Sequence, residues 1–141
     1  MTETAAITVP SDPKYLALIR ELTAAMAGAW GMSDAGRDDV KLAVDEACSN
    51  IIEHAYGGEG RGDIQCTCSA LNNGLTVILR DYGRPFDLTS VPEPDLCASL
   101  EDRKAHGLGL YFIRQLMDRV RFEFTPDSGN VLTMVKRKES P

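Results

Sequence analysis

The stretch "DIQCTCSALNNGLTVILRD", residues 63 to 81, constrains the fold more than any other part of the chain. The runs 63–71 and 75–81 read as strands, and Asn72-Asn73-Gly74 between them is a hairpin signal. Before it, "AAITVP" (5–10) alternates as a short strand that Pro10 stops. Ser11 or Asp12 then caps a helix from about 13 to 30, with Tyr15, Leu18, Ile19, Leu22 and Met26 as its expected buried stripe. "GMSD" ends that helix, and Ser33 or Asp34 caps a second one reaching about residue 56. Its stripe is Val40, Val44, Ala47, Ile51 and Ala55, and "GGEGRG" (57–62) after it reads as a loop.

Beyond the hairpin the pattern dissolves. From 82 to 106, Pro85, Pro92 and Pro94 punctuate a polar stretch with no sustained period, the signature of a lid or binding loop. A helix is expected over 108–118, then strands over 119–125 and 130–138 joined at "PDSG". The order β-α-α-β-β-lid-α-β-β contains no repeated βαβ unit. It predicts an α+β two-layer sandwich rather than a doubly wound sheet.

At 141 residues the chain suits one domain with a single core. Its net charge of −6 argues against a general nucleic-acid binder, which needs a basic face, but leaves room for one nucleotide site. No apolar run approaches the roughly 20 residues of a membrane span, and "MTETAAITVPSDP" lacks the regions of a signal peptide. A cytoplasmic protein without a membrane or direct nucleic-acid partner is expected. Cys48, Cys66, Cys68 and Cys97 form no CxxC pair, and His54 and His106 are not at zinc-finger spacing, so the cysteines read as buried free thiols.

Three short segments carry chemistry. On the second helix, "DEACSNIIEHAY" places Glu46 and Asn50 at i and i+4, roughly 6 Å apart on a flank beside the apolar stripe. Alone, this also fits a solvated helix flank. In "DYGRPFD", Asp81 ends an apolar strand two residues before Gly83: a carboxylate there can accept from an exocyclic amine, and a residue without Cβ lets a flat ring approach. The same residues also make an ordinary turn. In "HGLGLYFIRQLMD", Gly107 and Gly109 open a helix whose first N–H groups suit phosphate oxygens, although neither common phosphate fingerprint is complete.

Taken together and in this order, the segments resemble the motifs of the GHKL ATPase superfamily, the Bergerat nucleotide-binding fold. Within it, the chain is most similar to the small bacterial anti-sigma factor serine kinases that partner STAS-domain antagonists. "DEACSNIIEHAY" resembles the N box, "DYGRPFD" and "HGLGLYFIRQLMD" the two glycine motifs, and "GNVLTMVKR" the final strand with its adenine-side threonine, here Thr133. The resemblance implies a single ATP-binding domain over 1–141 with a lid at about 82–106, built on a mixed sheet covered on one face by helices. It implies Asn50 as the Mg²⁺ ligand, Glu46 as general base, and Asp81 and Gly83 at the adenine. Backbone N–H groups of Gly107, Leu108, Gly109 and Leu110 would meet the phosphates of ATP. A basic residue is expected two positions before Gly107, where this chain has Ala105; Arg103 and Lys104 are the neighbouring candidates for that charge. A STAS-domain antagonist, a sigma factor or similar regulator, and homodimerisation through the sheet edge or first helix are the implied partnerships.

Overall fold

A computed structural model of the chain describes residues 3–86 and 108–138, with the backbone alone for 108–110. Strand β1 is Glu3–Pro10, and Pro13–Tyr15 form a 3-10 turn leading into α1, Leu16–Ala29. Helix α2 is Asp34–Asn50 and continues as a π-helical turn, Ile51–Ala55. Strands β2 (Asp63–Leu71) and β3 (Gly74–Asp81) follow, then α3 (Leu108–Leu116), β4 (Arg119–Thr125) and β5 (Gly129–Arg137). The expected boundaries hold to within a few residues because the local signals act as read. The Asp12 carboxylate accepts from Lys14 N–H and the Ser33 hydroxyl from Gly36 N–H, while Asn72 and Asn73 take positive φ in the hairpin turn. Of the lid expected over 82–106, residues 87–106 lie outside the described residues.

The sheet order is β1-β2-β3-β5-β4 and all four ladders are antiparallel. The two-layer α+β reading is correct, whereas the mixed sheet is not. Two consecutive helices between β1 and β2 return the chain to the end where β1 finished, so β2 must run back alongside it. The single helix between β3 and β4 sends those strands the same way, but β5 stands between them. No parallel pair therefore forms.

The helices cover one face of this sheet. Ile64, Cys66, Cys68 and Ala70 from β2, Leu75, Val77 and Leu79 from β3, and Leu132 and Met134 from β5 point into the core. Against them pack Val40, Val44, Ala47, Ile51 and Ala55, the stripe expected on the second helix. The stripe expected on α1 needs correction. Leu16, Ile19, Thr23, Ala24 and Ala27 are its buried residues, while Leu18 is 50% and Tyr15 36% exposed. Small side chains let α1 approach its neighbours closely, so the buried arc follows Ala and Thr rather than the largest apolar groups. Thr23 tolerates this position because its hydroxyl donates to the carbonyls of Ile19 and Arg20 at 3.1 and 2.9 Å.

Cys48, Cys66 and Cys68 are free and buried, as expected, and Cys97 is outside the described residues. Burial, with the neighbouring Cys68 adding to it at Cys66, pushes the Cys66 and Cys68 thiols up to about 12, which keeps them as unreactive thiols. No described helix is long and apolar enough to cross a membrane.

Lys136 shows how the layers are tied together. It lies on the core side of β5, where its Nζ donates to Leu116 O at 2.7 Å and to Asp39 Oδ2 at 3.0 Å. One ammonium thus satisfies the C-terminal end of α3 and pairs with the first half of α2. Lys136→Met, which keeps the stem and removes the charge, is expected to cost about 1–3 kcal/mol in urea denaturation, chiefly from unpaired carbonyl and carboxylate oxygens.

Candidate functional site

Strand β3 presents Leu75, Val77, Leu79 and then Asp81 to its buried side, so the period of two delivers a carboxylate to the end of an apolar face. Asp81 is only 2% exposed. Gly83 N–H donates to its Oδ1 at 2.9 Å, and Asn130 Nδ2 donates to the same oxygen at 2.8 Å. Burial raises the Asp81 pKa above the ordinary carboxylate value, and the two hydrogen bonds offset only part of that rise. Oδ2 has no hydrogen-bond partner among the described residues.

Asp81 lines a narrow, partly open cleft. Ala47, Asn50, Ile51 and Ala55 form its helical wall, and Phe86, Phe122 and Leu132 make most of the rest apolar. A narrow apolar slot with a few convergent polar atoms suits a small flat ligand. On the helical wall, Asn50 Nδ2 donates to Glu46 O at 2.8 Å. A carbonyl can only accept, so the amide nitrogen must face the helix and Oδ1 turns away from it. Glu46 is half-buried one turn earlier, outside the cavity wall, and its carboxylate makes no hydrogen bond or ion pair among the described residues.

Directly after Asn50 the helix widens. Tyr56 N–H reaches Ile51 O at 3.0 Å and Gly58 N–H reaches Ile52 O at 2.9 Å. Single π turns of this kind recur at functional sites. Gly83 packs against this turn: a Cβ on it would lie 2.5 Å from Ala55 O. The described structure thus assigns Gly83 a packing reason of its own, separate from the room expected beside a flat ring. Arg84 N–H then donates to Ala55 O at 2.9 Å and its Nε to His54 O at 2.7 Å, capping the last carbonyls of the turn with a positive side chain. His54 itself stacks on Phe86 with ring centroids 4.7 Å apart, one layer behind the cavity.

Three expected site residues, Asn50, Asp81 and Gly83, meet here. Thr133 does not. Asp81 pairs across the ladder with Asn130, whereas Thr133 pairs with Ile78 and Arg121 on the opposite face of the sheet. Three residues along a strand is an odd step, which reverses the side. Asn130 and Leu132 occupy the cavity instead, and Asn130, 3% exposed, is the residue that motif reading missed. The signal for it was parity counted from "PDSG", usable only once the β3–β5 register is known. Leu108, Gly109 and Leu110 form the first turn of α3, where backbone N–H groups lack intrahelical acceptors. Gly107, Arg103 and Lys104 lie outside the described residues. A second hollow between α1 and α2, lined by Glu21, Arg37, Asp38 and Lys41 among others, contains none of the motif residues.

Two substitutions test this geometry. The carboxyl of Asp81 has a raised folded-state pKa, so its stabilising contribution is complete below the unfolded-state pKa and lost as pH rises through the folded-state pKa. Asp81→Asn keeps an oxygen for Gly83 and Asn130 while removing the buried charge. Thermal unfolding should therefore give Asp81→Asn the higher Tm near about pH 7, with the gap closing toward about pH 4. Gly83→Ala should cost about 1–3 kcal/mol by denaturant unfolding, because the Ala55 backbone cannot retreat without opening the π turn.

The chain matches the histidine kinase-like ATPase domain over residues 9–136. It is 35% identical over 138 residues to the serine-protein kinase RsbW of Halalkalibacterium halodurans, covering 95% of this chain and 83% of that protein. It is 31% identical over 133 residues to the serine-protein kinase RsbW of Bacillus velezensis, covering 91% and 81% of the two chains. A crystal structure of the RsbU and RsbW domains of Rv1364c from Mycobacterium tuberculosis superimposes with a TM-score of 0.69 at 18% identity. That likeness, which extends over 99% of this chain and 34% of the other, concerns the fold. With a family match spanning nearly the whole chain and a cavity walled by Asn50 and Asp81, this protein belongs to the histidine kinase-like (GHKL) ATPase family.

Proposed function

We propose that this chain is a Mg·ATP-dependent serine/threonine protein kinase that phosphorylates a STAS-domain anti-sigma factor antagonist and sequesters a sigma factor or similar regulator in the cytoplasm. The observation that carries the reading is a pair of oxygens on two walls of one cavity that have no hydrogen-bond partner among the described residues: Asn50 Oδ1, turned outward from α2, and Asp81 Oδ2 at the end of β3. The names of the relatives, serine-protein kinases, support the reaction class.

In this reading Asp81 Oδ2 accepts a hydrogen bond from the exocyclic amine of adenine, with the ring held among Ile51, Ala55, Phe86 and Leu132. Asn50 Oδ1 is a hard oxygen of the kind Mg²⁺ takes alongside phosphate oxygens and water. The metal ion, when bound, supplies charge neutralisation on the transferring phosphate. Backbone N–H groups of Gly107, Leu108, Gly109 and Leu110 receive phosphate oxygens at the positive end of α3. Glu46 orients the attacking hydroxyl of the substrate protein and takes its proton. Arg103 or Lys104 provides the positive side chain that Ala105 does not. The exposed Leu18 on α1, with Tyr15 in the turn just before it, supports the part of the reading that places a homodimer contact at the first helix.

Ala105 favours a second reading, in which the chain binds a partner in a nucleotide-dependent way and transfers little or no phosphate. Incubation with labelled ATP, Mg²⁺ and a STAS-domain partner separates the two. The kinase reading expects labelled serine or threonine on the partner and a rate loss of about 100-fold or more in Glu46→Ala, with ATP affinity changed by less than about threefold. ATP-dependent partner binding that survives Glu46→Ala, with no phosphate on the partner under any condition, supports the second reading and overturns the first.

A further inference from the structure

Asn130 stands directly opposite Asp81 in the β3–β5 ladder and is almost completely buried. Its side-chain amide is fully engaged within the protein. Nδ2 donates to Asp81 Oδ1 at 2.8 Å and to Arg84 O at 2.9 Å, with Gly83 O at 3.4 Å, while Oδ1 accepts from Phe86 N–H at 3.3 Å. Two donor hydrogens and one acceptor thus meet acceptors on one side and a donor on the other, which fixes the orientation of the amide. Asn130 lines the cavity but has no N–H left to offer a ligand. What it does instead, together with Gly83 N–H, is occupy one oxygen of Asp81, while the other has no partner among the described residues.

We propose that Asn130 is a positioning and specificity residue: by holding Asp81 Oδ1 and the backbone at Arg84 and Phe86, it presents Asp81 Oδ2 as the acceptor on that wall, so the cavity selects a purine bearing an exocyclic amine over a 6-oxo purine. The proposal rests on the nucleotide-binding reading above and adds the residue that sets base choice. A carboxylate with one oxygen tied has one direction in which to accept. A 6-oxo purine would turn its carbonyl oxygen toward that acceptor, and two acceptors facing each other in a dry slot leave both unpaired. Without Asn130, Oδ1 is held by the Gly83 N–H alone, so the carboxylate is less firmly oriented, and the Phe86 side of the slot loses its anchor; the distinction between the two bases weakens. The neighbouring titratable group is Tyr56, whose hydroxyl donates to Asp63 O at 2.6 Å and accepts from Tyr82 N–H at 3.0 Å, and so holds its place independently of Asn130.

Isothermal titration with Mg·ATP and Mg·GTP on the wild type, Asn130→Ala and Asn130→Thr tests the proposal. The wild type is expected to prefer ATP. Asn130→Ala should lose about tenfold or more in ATP affinity, and the ATP-to-GTP preference should shrink by a similar factor. Asn130→Thr, whose hydroxyl can still donate to Asp81 and whose branched side chain suits a strand, should retain most of the preference. Equal losses for both nucleotides in Asn130→Ala, or no loss for either, would mean a merely structural role and overturn the proposal. A second measurement needs no nucleotide. The Asp81 carboxyl carbon, followed by NMR, should titrate at higher pH in Asn130→Ala than in the wild type, because a hydrogen bond to the charged form is gone; an unchanged titration overturns the proposal. A wild type that binds neither nucleotide while this titration still moves would overturn base selection and the ATP reading together, leaving only the hold on Asp81.

Discussion

The site depends on the register between β3 and β5. These strands occupy the interior of the sheet, and their antiparallel ladder sets Leu79 against Leu132 and Asp81 against Asn130. The first pair closes the apolar layer and the second begins the polar one. A shift of one residue would send Asp81 to the outer face and put Arg80 into the core. The hydrophobic pattern that locks the register therefore also aims the carboxylate, and no separate device is needed to bring it to the cavity.

Around that pair the chain ties the sheet to the helix layer. Asn130, Gly83 and Arg84 link the end of β3 to the start of β5 and to the π turn that ends α2. Gly83 is there because the Ala55 carbonyl leaves no room for a side chain. The π turn places carbonyls where Arg84 can cap them, and Asn50, just before the turn, keeps its amide nitrogen on the helix. A buried carboxylate is a standing cost to the fold. That cost, at the end of an otherwise apolar face, is what motivates the proposal that Asp81 serves recognition rather than stability.

Much of this was legible along the chain. The two hairpins, the capped helices and the stripe of α2 come from nearest-neighbour physics: turn residues, caps and the periods of helix and strand act over a few positions, and the fold obeys them. Glu46 and Asn50 were legible for the same reason, since four residues on a helix always share a flank. The burial of Asp81 follows from the alternation Leu75, Val77, Leu79, Asp81. The α1 stripe was misread because side-chain size does not say which arc of a helix its neighbours will cover. Close approach selected Ala24, Ala27 and Thr23, and left Leu18 in solvent.

The sequence by itself determined the elements, their order, the two-layer architecture and the residues that lie on one helix flank or one strand face, because each of these is set by contacts within a turn or a hairpin. Only the tertiary structure decided that every ladder is antiparallel, since that depends on β5 entering between β3 and β4. It alone decided that Asn130, not Thr133, stands beside Asp81, because the pairing joins residues 49 positions apart and a strand read alone does not reveal which neighbour it will meet. The same distance explains Gly83, whose missing Cβ makes room for the Ala55 carbonyl on another element.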